Sequence, residues 1–174
     1  MKRALPLGAA MAAVLAVLAG TGAQAGAAQN AMRGVSNPQA ARIDYMLKCQ
    51  GCHRPDGGGD ARTTPPMKHE VARFLAVPGG RAFLARVPGV ATVDLDDARL
   101  ANLVNWTLYT FDPAHVPVDF QPYTAEEIGR LRRTPLRLER AETRARLVAG
   151  FAETGTSEQG PSQAPISQER TRLP

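Results

Sequence analysis

A short amphipathic helix is predicted where clear hydrophobic periodicity begins. Asn37 is a good N-cap, and Pro38 suits the first helical position because its missing N–H is not needed there. Ile43, Met46 and Leu47 follow at i, i+3 and i+4 spacing, which predicts one apolar face. The helix leads directly into a pair of cysteines.

The clearest periodic segment is a longer helix that begins near Asp96. Asp96 suits the N-cap, and Asp97 places negative charge in the first turn, where the helix dipole favours it. Leu95 and Leu100 have the spacing of a hydrophobic staple. Asp112-Pro113 ends the helix. Its predicted apolar stripe comprises Leu100, Leu103, Val104, Thr107, Leu108 and Phe111.

Turn-forming residues and shorter helical segments connect these two helices. Glycines and a proline make residues 54–60 a predicted loop. Residues 68–76 and 81–86 are predicted to form short helices, which end at Pro78-Gly79-Gly80 and at Pro88-Gly89. The apolar positions assigned to them are Val71, Phe74 and Leu75, and then Phe83, Leu84 and Val87.

The segment Cys49-Gln50-Gly51-Cys52-His53 reads Cys-x-x-Cys-His, the attachment signature of a c-type haem. Two thiols on one turn can form thioether bonds with the haem vinyl groups, and the adjacent imidazole can bind the iron. A thioredoxin-like dithiol would need a βαβ pattern, and a structural zinc site would need four ligands. The further histidines, His69 and His115, show no paired spacing, and a simple disulfide would give His53 no role.

A helix that leads into Cys-x-x-Cys-His resembles the layout of class I cytochromes c, over residues 38 to about 112. The Asp-Gly-x-Gly pattern of residues 56–59 also follows the haem motif in many bacterial cytochromes c. The resemblance implies an all-α fold, a small cytochrome c-like helical domain around one covalently attached haem c. Cys49, Cys52 and His53 would hold this haem. The resemblance also implies that Trp106 packs against the N-terminal helix.

The second axial ligand of the iron has several candidates. The resemblance implies a Met in the loop before the last helix, but residues 87–93 contain neither Met nor His. Met67 is the preferred candidate, because the two prolines before it stiffen the backbone that presents its sulfur. His69 is the competitor, His115 lies beyond the core, and an open position is the remaining alternative. Met46 lies too close to the attachment motif.

The N-terminal residues predict export from the cytoplasm. Lys2 and Arg3 precede an apolar run, residues 7–18, and Ala23-Gln24-Ala25 forms a small-x-small cleavage site. The run is shorter than the roughly 20 residues of a membrane-spanning helix, so cleavage is favoured over retention as an anchor, with no stable membrane insertion afterwards. Cleavage would lower the formal charge from +5 to +3, with 19 basic and 16 acidic residues. That charge is too weak and too scattered to indicate nucleic-acid binding.

Composition changes along the chain predict five parts. They are a signal peptide (1–25), a flexible leader (26–36), the haem domain (37–113), a Pro-containing, Arg-rich helical extension (114–151) and a disordered tail (152–174). In the extension, an appended arm, Thr124 and Glu127 have capping-box spacing, and Pro135 interrupts the basic stretch. Such a stretch usually forms a solvated, salt-bridged face; the alternative is a docking surface for an acidic partner.

These features together predict a periplasmic monohaem c-type cytochrome that is not an enzyme. It would carry one electron at a time between a dehydrogenase donor and a cytochrome or oxidase acceptor. One alternative is a haem-based sensor or peroxidase-like protein with an open distal position, where His69 would be the acid–base group. Another is a fixed electron-transfer subunit of a larger dehydrogenase, held to its partner by the C-terminal extension.

Overall fold

A computed structural model describes residues 32–60 and 63–152 of the chain. The predicted signal peptide, residues 26–31 of the leader and residues 153–174 of the tail lie outside the described residues. Within the described ranges the fold is all-α, as predicted, and none of the helices there has the length and apolar character needed to cross a membrane. The helices are α1 (Pro38–Lys48), α2 (Gln50–His53), a 3-10 helix (Val71–Ala76), α3 (Gly80–Arg86), α4 (Pro88–Ala91), α5 (Asp97–Phe111), a second 3-10 helix (Pro113–His115), α6 (Ala125–Leu131) and α7 (Arg140–Ala149).

Helix α1 begins as predicted but buries a different face. The Asn37 side chain accepts a hydrogen bond from the N–H of Ala40 at 2.9 Å. The predicted apolar face was wrong, because Ile43, Met46 and Leu47 are 46%, 50% and 72% exposed. The buried residues of α1 are instead Ala41, Asp44 and Tyr45.

The residues of α5 that contact α1 determine which face of α1 is buried. The Tyr45 ring lies 5.6 Å from the Trp106 ring and 4.9 Å from the Phe111 ring, measured between centroids. The Asp44 carboxylate is buried beside α5, and the guanidinium of Arg99 on α5 pairs with it. A buried carboxylate is tolerated when it is paired and hydrogen-bonded. Aromatic packing and this ion pair therefore outweigh the periodicity of the aliphatic residues.

Helix α5 is the centre of the fold, and its predicted cap, C-terminal end and apolar stripe are confirmed. Asp96 caps it by accepting a hydrogen bond from the N–H of Arg99 at 2.8 Å, and the helix ends before Asp112. All six residues of the predicted stripe are buried, and Trp106 packs against α1 through Tyr45.

Two buried asparagines on α5 tie other segments to it. Asn102 accepts hydrogen bonds from the N–H groups of Ser36 and Asn37. Asn105 is fully buried and bonds the backbone of Gly34 and of Tyr123, so the residues before α1 and those after α5 meet at one side chain.

The segments between α2 and α5 differ in detail from the prediction. The expected helix over residues 68–76 is a 3-10 helix that begins at Val71, because His69 has a φ of +59° and interrupts any regular helix before it. The expected short helix at residues 81–86 is α3, which begins one residue earlier, at Gly80. The stretch assigned to a loop, residues 87–93, contains helix α4.

The C-terminal extension packs closely against the predicted haem domain. As predicted, Thr124 caps α6 by accepting a hydrogen bond from the N–H of Glu127, and helices α6 and α7 lie on either side of Pro135. The capping box is only half formed, because the Glu127 carboxylate pairs with Arg81. Ile128 joins the main core, while three residues of the extension form a second core with three of the haem domain. The second core comprises Phe74, Val77, Phe83, Leu136, Leu147 and Phe151. The domain boundary at residue 113 stays a prediction, but the residues after it complete both cores.

The arginines of the extension divide into two groups. The members of the first group are exposed, as expected of a solvated face; they are Arg130, Arg133, Arg137, Arg140 and Arg146. Arg132 and Arg144 instead turn towards the rest of the molecule. Arg132 donates hydrogen bonds to the carbonyls of residues 91, 93 and 95, and Arg144 pairs with Glu70. The interpretation as a solvated face therefore holds for only part of the basic stretch.

Candidate haem-binding site

The attachment motif occupies one helical turn at the end of α1. The N–H groups of Cys52 and His53 both donate to the carbonyl of Cys49, at 3.2 and 2.9 Å. The turn places the two thiols and the imidazole within one short segment, as two thioether bonds and an adjacent iron ligand require. The two cysteines are not joined in a disulfide; Cys49 is half-buried and Cys52 is exposed. A Cβ on Gly51 would meet no atom within 4 Å, so no contact within the described chain requires a glycine there.

The acid–base properties of Cys49 argue against a redox dithiol. Burial raises the pKa of the Cys49 thiol to about 11, and the nearby Asp44 and Cys52 add to the shift. Catalytic Cys-x-x-Cys dithiols have a lowered thiol pKa, because the thiolate is the reactive form. The motif therefore does not have the electrostatics of a thioredoxin-like site.

Within residues 32–60 and 63–152, no group of three or more His, Cys, Asp or Glu side chains could hold a metal ion.

His53 has the surroundings of a ligand that lacks its partner. Its Nδ1 atom is buried and has no hydrogen-bond partner among the described residues. Buried polar atoms are nearly always bonded, so an unpaired one indicates a missing group or a bond that forms only in another state. Burial lowers the pKa of His53, and the backbone carbonyl of Pro65 opposes this effect only in part. The neutral imidazole that results is the form that binds a metal. The residues present therefore fit a haem with His53 on its iron.

The loop after His53 folds tightly against the core. The Gly59 N–H donates to the carbonyl of His53 at 3.1 Å. Gly57 and Gly59 have φ values of +72° and +62°, which favour glycine. A Cβ on Gly57 would lie 2.5 Å from the Phe111 ring, and one on Gly59 would collide with the carbonyl of Thr64. The glycines thus allow the chain to return past His53 to residue 65.

A hydrogen bond from a tyrosine hydroxyl restrains the start of this loop. The Tyr45 hydroxyl donates a hydrogen bond to the carbonyl of Arg54 at 2.5 Å. Burial raises the pKa of Tyr45 to about 12, with smaller contributions from Cys49 and Asp56. The residue after the attachment motif is therefore bonded to the same side chain that packs on α5.

The two leading candidates for the sixth ligand have different environments. Met67 is half-buried and packs against the main core, as Cys49 does, and its N–H donates to the carbonyl of Gly57 at 2.8 Å. His69 is exposed, and only its backbone position is fixed, by an N–H bond to the carbonyl of Phe111 at 3.0 Å. The two candidates therefore differ in burial, and the assignment of the sixth ligand stays a prediction.

His115 pairs with a buried carboxylate at the end of α5. Its Nδ1 lies 2.5 Å from an oxygen of Asp112, a fully buried carboxylate that also accepts the N–H of Ala72 at 2.9 Å. His115 therefore serves the packing of α5 against the first 3-10 helix. The contact was missed in the sequence because Asp112 was interpreted only as part of the signal that ends α5.

Comparison with known proteins agrees with these observations. The chain is 30% identical over 117 residues to one cytochrome c-552 of Thermus thermophilus, in a match covering 57% of this chain and 79% of the relative. It is 31% identical over 112 residues to another cytochrome c-552 of Thermus thermophilus, covering 54% of this chain and 86% of the relative. No protein-family model and no solved structure matches.

The matches cover 79% and 86% of the two relatives, and this extent establishes the class of protein. The chain belongs to the c-type cytochromes, which carry covalently attached haem c. The predicted family, fold class and cofactor are thereby confirmed, while the individual haem-binding residues stay predictions.

Proposed function

We propose that this protein is an exported one-electron carrier. In this proposal one haem c is attached to Cys49 and Cys52, with His53 as the proximal iron ligand and Met67 as the sixth. When bound, haem c supplies a reversible ferrous–ferric couple. The observation that carries the proposal is the single helical turn that places two cysteines, not joined to each other, beside a half-buried imidazole whose buried Nδ1 has no partner among the described residues.

The residues around the motif support fast electron exchange by holding the attachment turn still. Tyr45, Trp106 and Phe111 form three mutual ring contacts with centroid distances between 4.9 and 5.7 Å. Each such contact contributes about 0.5–1.5 kcal/mol beyond simple burial. The cluster joins α1 to α5 next to the motif, so the turn has little freedom to rearrange when the charge of the site changes.

Met67 is proposed as the sixth ligand because of its burial and backbone restraint. A thioether ligand raises the reduction potential relative to a second imidazole. Met67→Ala should therefore lower the potential, remove the near-infrared sulfur-to-iron band of the ferric protein and let carbon monoxide bind the ferrous protein. His69→Ala is the matched control and should leave all three properties unchanged.

The partner proteins are proposed to be a dehydrogenase as donor and a cytochrome or oxidase as acceptor, in the periplasm. The exposed apolar side chains of Ile43, Met46 and Leu47 lie on the helix that leads into Cys49. Small, partly apolar contact areas suit short-lived redox encounters. The sequence relatives support the carrier role through their class, and the predicted signal peptide supports export.

A peroxidase-like function has less support. It needs an acid–base group over the open side of the iron, and the candidate for that role, His69, is an exposed residue. Carbon monoxide binding by the unmodified ferrous protein would favour this alternative over the carrier.

The proposal is tested by expressing the full chain in a bacterium with haem-maturation machinery. The purified protein should be red, and its haem should remain with the polypeptide after acid–acetone extraction. Cys49→Ala and Cys52→Ala should each leave at most one thioether bond and a less stable haem protein. Haem that extracts freely from the unmodified protein would contradict covalent attachment.

A further inference from the structure

The loop that joins α6 to α7, residues 132–139, is held firmly against the rest of the molecule. At its start the Arg132 guanidinium donates to three backbone carbonyls of the segment before α5. In its middle Leu136 is buried in the second core, and its N–H donates to the carbonyl of Arg86 at 2.8 Å. The Arg86 guanidinium in turn donates to the carbonyl of Thr134 at 2.7 Å. The exposed side chains of the loop therefore stand on a firm support.

Those exposed side chains combine positive charge with one apolar group. Arg133 and Arg137 are exposed, as is Arg140 at the first position of α7. Leu138 lies between two of these arginines and is 98% exposed, the highest value among the large apolar residues of the described chain. Folding removes almost none of its surface from water, so Leu138 contributes almost no hydrophobic stabilisation to the fold. We call Arg133, Arg137, Leu138 and Arg140 the basic patch.

The charges of the basic patch are not neutralised by the described residues. None of its guanidinium groups forms an ion pair with a carboxylate there. The acidic residue of the loop, Glu139, has its carboxylate against the backbone, where it accepts the N–H of Arg137 at 3.2 Å. Arg81, Arg132 and Arg144, by contrast, each pair with a carboxylate. The basic patch therefore keeps its cations available to an external anion.

We propose that the basic patch is a docking surface for an acidic protein that has an apolar depression among its carboxylates. Arginine suits this contact, because its planar guanidinium can bind a carboxylate through two parallel hydrogen bonds. Leu138 fills the depression, and the arginines around it form the charged rim, an arrangement typical of protein interfaces. Opposite charges also raise the rate of association. The inference rests on the proposed function only in taking the partner to be a redox protein.

The composition of the basic patch favours a protein over a membrane surface. Segments that lie in a lipid interface bury a broad apolar face, whereas the patch offers a single leucine. Glu126 and Glu142 are exposed on the two helices that flank the loop, and a uniformly anionic surface would repel them. A protein can place its carboxylates opposite the arginines alone.

The test measures binding of two synthetic peptides to the full-length, haem-loaded protein. One peptide consists of glutamates interrupted by leucines, and the other has serine in place of every leucine. Binding is followed by isothermal titration calorimetry at low and at physiological ionic strength. The variants are Arg133→Ala, Arg137→Ala, Arg140→Ala and Leu138→Ser, all at exposed positions.

Two further variants are the matched controls. Arg42→Ala removes an exposed arginine from α1, and Val118→Ser removes an apolar side chain that is 95% exposed. Thermal unfolding of every variant checks that the fold is unchanged.

Each arginine variant of the patch should weaken binding of both peptides about threefold, the effect of losing one exposed ion pair. Higher salt should weaken binding further, because it screens exposed charges. Leu138→Ser should weaken binding of the leucine peptide about fivefold and leave the serine peptide unaffected, since only the first peptide can use the lost apolar contact. Both controls should match the unmodified protein.

Several results would overturn the docking surface. Equal losses in Arg42→Ala or Val118→Ser would show unspecific attraction, and absence of binding at low ionic strength would leave the loop as a solvated surface. Binding to phosphatidylglycerol vesicles, or self-association in sedimentation, that depends on Leu138 while the peptides do not bind would assign the patch to a membrane or to a second copy. The visible spectrum tests the proposed function separately: a protein without haem that still binds the peptides as expected would reject the carrier and keep the docking surface.

Discussion

The substitution Asn105→Ala tests how the structure joins its leader, its central helix and its extension. Asn105 is fully buried on α5. Its side-chain NH2 donates to the carbonyls of Gly34 at 3.2 Å and of Tyr123 at 3.0 Å, and its oxygen accepts the N–H of Tyr123 at 2.9 Å. Alanine would remove all three bonds while leaving the backbone groups in place.

The cost of that change follows from the groups left without partners. A buried polar group that loses its hydrogen bond destabilises a protein by about 1–3 kcal/mol. The Tyr123 N–H loses its acceptor, two carbonyls each lose one donor, and the missing amide leaves a small cavity. We expect the free energy of unfolding to fall by about 3 kcal/mol. Gln121→Ala is the control, since Gln121 is exposed in the segment just before Tyr123.

The assay is guanidinium unfolding of the haem-loaded protein followed by circular dichroism and by fluorescence of the single tryptophan. Coincident transitions from the two probes would justify a two-state analysis. Asn105→Ala should lower the midpoint without a large change in slope, and Gln121→Ala should leave it unchanged. An Asn105→Ala protein within about 0.5 kcal/mol of the unmodified one would refute the role given to this side chain.

Three further predictions concern the packing of the site. Because the pKa of Tyr45 is raised to about 12, folding favours the protonated form of this side chain. The free energy of unfolding should therefore fall as pH rises from about 10 through about 12. Unfolding measured as a function of pH should show a smaller loss for Tyr45→Phe. Gly57→Ala should cost about 2 kcal/mol or more, because its Cβ would meet the Phe111 ring at positive φ, whereas Gly89→Ala, with no atom within 4 Å of the added carbon, should cost little. Ile128→Ala should lower the free energy of unfolding by about 2–4 kcal/mol, because Ile128 is fully buried, and an unchanged midpoint would show that the extension is outside the core.

Local patterns predicted the parts of the fold that depend on near neighbours. The caps at Asn37, Asp96 and Thr124 each involve a bond to an N–H three residues later, so the sequence contains both partners. The stripe of α5 was also found, because nearly every side of that helix is covered and most of its apolar residues are buried. The Cys-x-x-Cys-His motif belongs to the same category, since its five residues are contiguous.

The face of α1 could not be predicted in this way. Ile43, Met46 and Leu47 have the right spacing, but a helix buries the face that its partner accommodates. The decisive partners, Trp106, Phe111 and Arg99, lie more than 50 residues further along the chain. An aspartate also argues locally against burial, and it became acceptable only through Arg99.

The role of the extension was missed for a related reason. Arg144 and Glu70 are 74 residues apart. Arg132 bonds mainly to backbone carbonyls, which every residue has, so the sequence does not reveal these partners. A run of arginines is most simply interpreted as a solvated surface, and five of these residues are indeed exposed. The two prolines before Met67 suggested it as an iron ligand. Its partial burial, in contrast, depends on the tertiary fold of the loop from residue 54 onwards.

The most direct test of the central claim is mass spectrometry of the tryptic peptide that begins after Lys48. The holoprotein is treated with a thiol-alkylating reagent under denaturing conditions before digestion. The account predicts a peptide containing Cys49, Cys52 and His53 whose mass includes one haem and no alkyl group. An alkylated peptide of this segment without haem would contradict covalent attachment at these cysteines.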